Sequence, residues 1–325
     1  MYDFVSRRAV LAGAIALLAR PALSQDAYPS RPIRLVVPFP PGGSTDVVGR
    51  LVAQELQERL GQAVVVDNRA GNAGIVGSNV VKIAPPDGYM LVMSNIGSQG
   101  IGPFVYRQVP YDTMRDFVHI GMMGTFYNVL VVNPAFPARN VAEFVAEAKR
   151  RPGAINFATS GNGSSNHLLG ELLKLEAGID IVHVPYRGAG PALTATIGNE
   201  VPAMFDSIPS STAQIRSGML RALAVSAPQR VPQLPDVPTF AESGLPRLVA
   251  SNWFGLSAPA GTPPAAADRL SRALNEAVTT PALVSKLAEI GLSTQQMDPA
   301  EFTRFVADQL GFWGDIVRRA GVTAD

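Results

Sequence analysis

The residues best placed to do chemistry lie in two loops rich in glycine and serine. Gly42-Gly43-Ser44-Thr45-Asp46 follows the β-rich run at 33–39, and Ser160-Gly161-Asn162-Gly163-Ser164-Ser165 follows the run at 155–158. Each loop opens into apolar residues at helical spacing: Val47, Val48, Leu51, Val52, Leu56 and Leu60 after the first, and Leu168, Leu169, Leu172, Leu173 and Leu175 after the second. A helix N-terminus presents unpaired N–H groups and about half a positive charge from its macrodipole, so each loop is a ready site for an anion. Glycines 42, 43, 161 and 163 let a ligand approach the backbone, and Ser44, Thr45, Ser160, Ser164 and Ser165 add hydroxyl donors. Two such loops facing across a cleft would grip a small carboxylate. Glycine and serine are also ordinary in strand-to-helix turns; the recurrence of the plan, once in each half, is what favours a functional reading.

Other polar residues each have two readings. Asn68 and Asn95 end strands, where an amide could enter a cleft or close a turn. Asp46 in the first helical turn could favour the helix dipole or meet a ligand, and His167 sits in the corresponding turn of the second copy. Arg187, after the strand at 181–186, could pair bidentately with a carboxylate or lie on the surface; Asp206 ends an apolar strand as a turn former or a cleft residue. Neither loop is a P-loop, because the Lys-Ser/Thr ending is missing, and no G-x-G-x-x-G follows a strand. There is no G-x-S-x-G elbow and no S-x-x-K pair; His167 with Asp206 would be the only members of a distributed hydrolytic triad. No catalytic residue, metal or cofactor is therefore expected. The chain has no cysteine, and His119, His167 and His183 form no local ligand motif.

The elements that must position these loops alternate between strand and helix, which predicts α/β layers. Ser44 or Thr45 is expected to cap the first helix, which Gly61 ends. Further strands are expected at 63–66 and 89–93, at 128–132 as the first crossing between lobes, at 181–184, 201–205 and 220–225, and at 253–258 as the return. Asn140 should cap a helix running to Arg151, with Glu143 at the capping-box position. The proline-rich stretch 228–246 reads as a linker, Trp253 and Phe254 as core, and 263–320 as mostly helical.

The 325 residues favour about two domains. Residues 1–24 read as a cleaved export signal: a basic stretch ending Arg7-Arg8, an apolar run at 9–19 too short to span a bilayer, and Ala22-Leu23-Ser24 before the cut. Ser6-Arg7-Arg8 also resembles the twin-arginine signal, leaving the export route open. Cleavage takes 27 basic and 26 acidic residues to 24 and 25, a net charge of −1, which leaves no basic field for nucleic acid.

The order of several short motifs resembles the Bug-type extracytoplasmic receptors of the tripartite tricarboxylate transporter systems. The matching stretches are 37–46 (VPFPPGGSTD), 85–89 (PPDGY), 160–167 (SGNGSSNH), 183–188 (HVPYRG), 205–206 (FD), 220–225 (LRALAV), 234–239 (LPDVPT) and 258–263 (APAGTP). The resemblance implies a two-lobe periplasmic binding protein of the Venus-flytrap kind, with lobe one at 25–125 plus 250–325 and lobe two at 126–249. It implies capture of a small carboxylate without turnover, held by the two loops partly through ordered waters, and a large and a small membrane subunit as partners. The candidate ligand contacts are Phe39, Gly42, Gly43, Ser44, Thr45, Asp46, Asn95, Ser160, Gly161, Gly163, Ser164, Ser165, His167, Arg187 and Asp206. Asn72, Ala73 and Arg187 depart from the usual pattern and bear on the cargo more than on the fold. A secreted hydrolase and a sensory module are the rival readings.

Overall fold

The structure, a computed structural model, describes residues 28–323; the expected export signal lies outside them. Its strands are β1 (Ile33–Val37), β2 (Val64–Asn68), β3 (Met90–Asn95), β4 (Phe117–Val132), β5 (Asn156–Thr159), β6 (Val182–Pro185), β7 (Ala203–Ser207), β8 (Arg221–Val225), β9 (Ser251–Pro259) and β10 (Ser293–Thr294). Its α-helices are α1 (Ser44–Leu60), α2 (Ile75–Lys82), α3 (Gly102–Val105), α4 (Val141–Arg150), α5 (Ser165–Ala177), α6 (Ala189–Ile197), α7 (Ile208–Arg216), α8 (Pro264–Ala277), α9 (Pro281–Glu289) and α10 (Pro299–Ala320).

One long strand organises the molecule. Over Phe117–Tyr127, β4 pairs antiparallel with β9, which continues through β3 and β1 to β2. From Asn128 to Val132 it changes partners to β7 and β8, and β7 leads on to β5 and β6. The sheet thus has two halves hinged on β4, and β9 returns the chain to the first. β1 is parallel to β2 and β3, and β5 is parallel to β6 and β7. Loops leaving the carboxyl ends of β1 and β5 therefore meet at the junction of the halves, where open α/β sheets place their ligands.

Each half buries its strands between helical layers. In the first, α1 contributes Val48, Val52, Leu56 and Leu60 and α8 contributes Leu270 and Leu274 against Leu35, Val37, Leu91 and Leu256. Trp253, Phe302, Val306 and Trp313 fill the layer under α10, and Leu168 of α5 joins them, so α10 touches both halves. In the second half, Phe144, Leu169 and Leu173 pack on one face of the sheet around Phe157 and Phe205, and Ala192, Leu193 and Ile208 on the other around Val129 and Met204. α4 is capped by Asn140, whose side chain accepts from Glu143 N. Gly61 and Gly178 close α1 and α5 in the left-handed conformation that glycine adopts without strain.

Candidate functional site

The two glycine-serine loops line one partly open cavity between the halves. The first loop supplies Phe39, Pro40, Pro41, Gly43, Ser44 and Thr45; the second supplies Ser160, Ser164, Ser165 and Asn166. The cavity holds about 70 Å³ open to the centres of water-sized spheres, room for a handful of waters or a small organic molecule. Asn95, Phe126, Asn252 and Phe254 close it from the strands.

The first loop differs from expectation at the cap. Gly43, in extended conformation, is the N-cap of α1, and no side chain caps this helix. Ser44 and Thr45 fall inside the first turn instead. The first intrahelical bond runs from Val47 N to Gly43 O, so the N–H groups of Ser44, Thr45 and Asp46 have no helical acceptor. Thr45, itself buried, forms no side-chain hydrogen bond among the described residues. Asp46 does not line the cavity. It braces the loop from behind, accepting from Gly42 N (3.1 Å), Arg50 Nε (3.1 Å) and Asn68 Nδ2 (3.0 Å). Burial opposes its charge, but the Arg50, Asn68 and Gly42 donors hold the carboxyl below the usual range. Asn68 points into this brace and to Phe39 O, away from the cleft. Asn95 is engaged with Ser98 in the turn after β3.

The second loop carries its own cap. Ser164 Oγ accepts from His167 N and donates to Gly161 O at 2.7 Å. Ser160 Oγ donates to Asn166 Oδ1 at 3.0 Å, whereas Ser165, 7 % exposed, has no side-chain partner among the described residues. Gly163 sits at φ +70°, where a side chain would meet Tyr106, so it shapes the loop from outside the cavity lining. His167 is likewise absent from the lining. Its Nδ1 accepts from Gly163 N at 3.2 Å, and its ring stacks on His183 at 3.9 Å. Burial drives both rings toward the neutral form, with pKa values lowered to about 4 for His167 and about 3 for His183. No hydrogen bond joins His167 to Asp206, and among the described residues no nucleophile–histidine pair lines the cavity.

Sequence reading missed two further helix starts. Gly188, the uncapped N-cap of α6, lines the cavity with Ala189, Gly190 and Pro191; the latter lacks an N–H, leaving those of Ala189 and Gly190 as open donors. Ser207, the N-cap of α7, lines it beside Asp206. Pro191 in a first helical turn after a strand was the available signal for α6; Asn166 lay unsingled within the matching stretch 160–167, and Asn252 had no signal. Four helix N-termini, those of α1, α5, α6 and α7, thus converge on one cavity, and their dipoles add. Asp206, 1 % exposed, has its carboxyl pushed up to about 7 by burial, although Ser210, Ser207 and Ser211 hydrogen bonds pull it down.

An outer cleft adjoins the cavity and shares Phe39, Pro40, Ser160 and Gly188 with it. Gly161, Asn162, Arg187 and the 70–74 turn line this cleft, with Asn72 and Ala73 at positive φ. Arg187 is exposed there, outside the inner cavity. The halves meet at three points around the ligand space: Ser207 Oγ to Ser44 Oγ (3.2 Å), Tyr106 Oη to Asn162 O (2.7 Å), and Gly188 against Pro40. Among the described residues, no cluster of His, Asp and Glu is gathered as for a metal ion, and no helix is long and apolar enough to cross a membrane.

Residues 48–322 match the tripartite tricarboxylate transporter family receptor. The chain is 41% identical over 300 residues to Protein BugT of Bordetella pertussis, covering 92% of each chain. Among solved structures it is similar to R. palustris Rpa4515 with adipate (33% identity, TM-score 0.89, 91% of this chain and 99% of that one). It is also similar to MatC from Rhodopseudomonas palustris with bound malate (31% identity, TM-score 0.85, 89% and 100%). The two sheet halves about β4 are accordingly the two lobes of a periplasmic binding-protein fold. By sequence, fold and the span matched, the chain belongs to the tripartite tricarboxylate transporter receptor family, of the Bug type.

Proposed function

We propose that the chain captures a small organic acid between its lobes outside the cytoplasmic membrane and hands it, unchanged, to a membrane transporter. The observation that carries this reading is the convergence of four helix N-termini, two with uncapped glycine N-caps, on one cavity lined, among the described residues, by no Lys, Arg or His. A carboxylate there would replace its hydration with fixed N–H and hydroxyl donors, each charge-assisted bond contributing about 1.5–3 kcal/mol. The relatives' adipate and malate support a carboxylate as the class of cargo.

In this reading lobe one comprises 25–125 plus 250–325 and lobe two 126–249, with residues 1–24 removed on export. Gly43, Ser44, Thr45, Ser160, Ser164 and Ser165 contact the ligand directly, joined by Ala189, Gly190, Ser207 and Asn252. Phe39, Asn95 and Asp206 complete the wall. Gly42, Asp46, Gly161, Gly163 and His167 hold the loops in shape, and Arg187 borders the approach. The large and small membrane subunits of the transporter family are the partners, and no step of catalysis is assigned to the chain.

A thermal-shift screen of the mature chain against mono-, di- and tricarboxylates tests this. An acid present at 100 times its dissociation constant should add about 2.7 kcal/mol of stability and be recovered unaltered. Turnover of any of them would contradict the reading, as would the absence of a shift across the whole series.

A further inference from the structure

Asn162–Gly163 is the single Asn-Gly step in the chain. It occupies the centre of the turn that Ser164 N closes on Gly161 O at 3.3 Å. Both ends of its peptide group are held by side chains able to move protons. The carbonyl of Asn162 accepts from Tyr106 Oη at 2.7 Å, and the N–H of Gly163 donates to His167 Nδ1 at 3.2 Å. The second bond requires Nδ1 to be the unprotonated nitrogen of the ring. Tyr106 lies against Gly163, where a Cβ would meet its ring at 3.0 Å. The Asn162 side chain, by contrast, makes no hydrogen bond among the described residues. It is half-buried at the border of the outer cleft, where water reaches it.

The nitrogen that follows an asparagine can attack the side-chain carbonyl by closing a five-membered ring, and glycine leaves that nitrogen unscreened. The reaction is slow because a peptide N–H is a very weak acid and the amine is a poor leaving group. Here a phenol hydroxyl draws charge from the carbonyl of the same peptide group, which makes its N–H more acidic. An imidazole nitrogen already holds that N–H and can take the proton. Burial makes His167 a weak base, so it carries the proton only as far as the departing amine.

We propose that Asn162–Gly163 is a self-modification site, at which His167 and Tyr106 speed the conversion of the Asn162 amide to a carboxylate. Gly163 N passes its proton to His167 Nδ1 and bonds to Asn162 Cγ. The Cγ–Nδ2 bond breaks, and the amine leaves as ammonia with the proton that His167 returns. Water then opens the succinimide, at Cγ to give an aspartyl residue or at the main-chain carbonyl to give an isoaspartyl one. The sum is amide plus water giving acid plus ammonia. Either product adds a negative charge to the loop that carries Ser160 and Ser164, and the isoaspartyl form also lengthens its main chain by a methylene. This goes beyond the capture reading and does not depend on it.

Peptide mapping by mass spectrometry tests the proposal on the mature chain. The protein is incubated at neutral pH in buffer and, in parallel, unfolded in guanidinium chloride, with heavy-oxygen water marking each carboxylate formed. Asn162 should convert about tenfold faster or more in the folded chain than in the unfolded one. His167→Asn keeps an acceptor for Gly163 N but no basic nitrogen, and Tyr106→Phe removes the hydroxyl. Each should cut the folded rate by about threefold or more. The comparison of folded with unfolded wild type decides even if a variant misfolds. If Asn162 reacts no faster folded than unfolded, or if a folded His167→Asn or Tyr106→Phe chain keeps the wild-type rate, the inference is overturned.

Discussion

Ser44 and Ser207 stand 163 residues apart in the chain, yet their hydroxyls meet at 3.2 Å across the junction of the two lobes. Ser44 opens α1, and Ser207 is the N-cap of α7. Ser210 Oγ continues the chain of hydroxyls to Asp206. The contact ties the first turn of α1 in the first lobe to the acidic corner of the second.

The Ser44–Ser207 contact should therefore contribute to affinity only as a pair. Ser44→Ala and Ser207→Ala should each weaken binding of an acid, and the double variant should be weaker than wild type by less than the sum. The expected coupling is about 0.5–1.5 kcal/mol. Calorimetric titration of the four proteins completes the cycle; strict additivity would mean the two hydroxyls act independently of each other.

Asp206 should make the empty receptor less stable as pH rises. Its folded pKa, about 7, is raised above the unfolded value near 3.8. The native state then holds more protons between those values. The associated stability is fully present below about pH 4 and lost as pH climbs through 7, to the order of 4 kcal/mol. Asp206→Asn should flatten that slope and stabilise the empty protein at pH 7.5. Denaturant unfolding at pH 5 and pH 7.5 measures it; an Asn variant less stable at the higher pH would contradict the assignment.

The stacked pair His167 and His183 should act in the opposite direction. Both are buried neutral with pKa values lowered below the unfolded 6.5, and His119, held by Ser257 and Thr113 O, is lowered to about 4 as well. Their stability is present above pH 6.5 and lost as pH falls through the folded values. Protonating His167 at Nδ1 removes the acceptor of Gly163 N, so the second loop should loosen with it. NMR titration of the three ring signals should show no inflection near 6.5; a ring titrating there would show the burial to be wrong.

The β1–α1 and β5–α5 units were legible because a period of 3.6 follows a glycine-serine loop in each, and a helix after such a loop leaves few alternatives. The first part of β4 was not. Its pairing with β9 shifts between His119 and Gly121 and again between Met122 and Gly124, which breaks the alternation that marks a strand. The start of α6 was hidden because Gly188-Ala189-Gly190-Pro191 reads as a turn by composition. Asp206 was identified as turn former or cleft residue, but the absence of any cation around it is a property of the assembled cavity. His167 was placed in the correct helical turn, yet only its contacts with Gly163 and His183 show that it supports the loop from behind.

The central claim is that an acid is held by the exposed first turns of helices, beginning with α1. Gly43 lines the cavity in extended conformation, and a Cβ there would meet no atom within 4 Å. Gly43→Val can therefore fold as wild type while its methyls occupy the place of the ligand's carboxylate. The account predicts an unchanged unfolding midpoint without ligand and at least a hundredfold loss of affinity for the acid that wild type binds. Binding retained within threefold by a well-folded Gly43→Val receptor would contradict it.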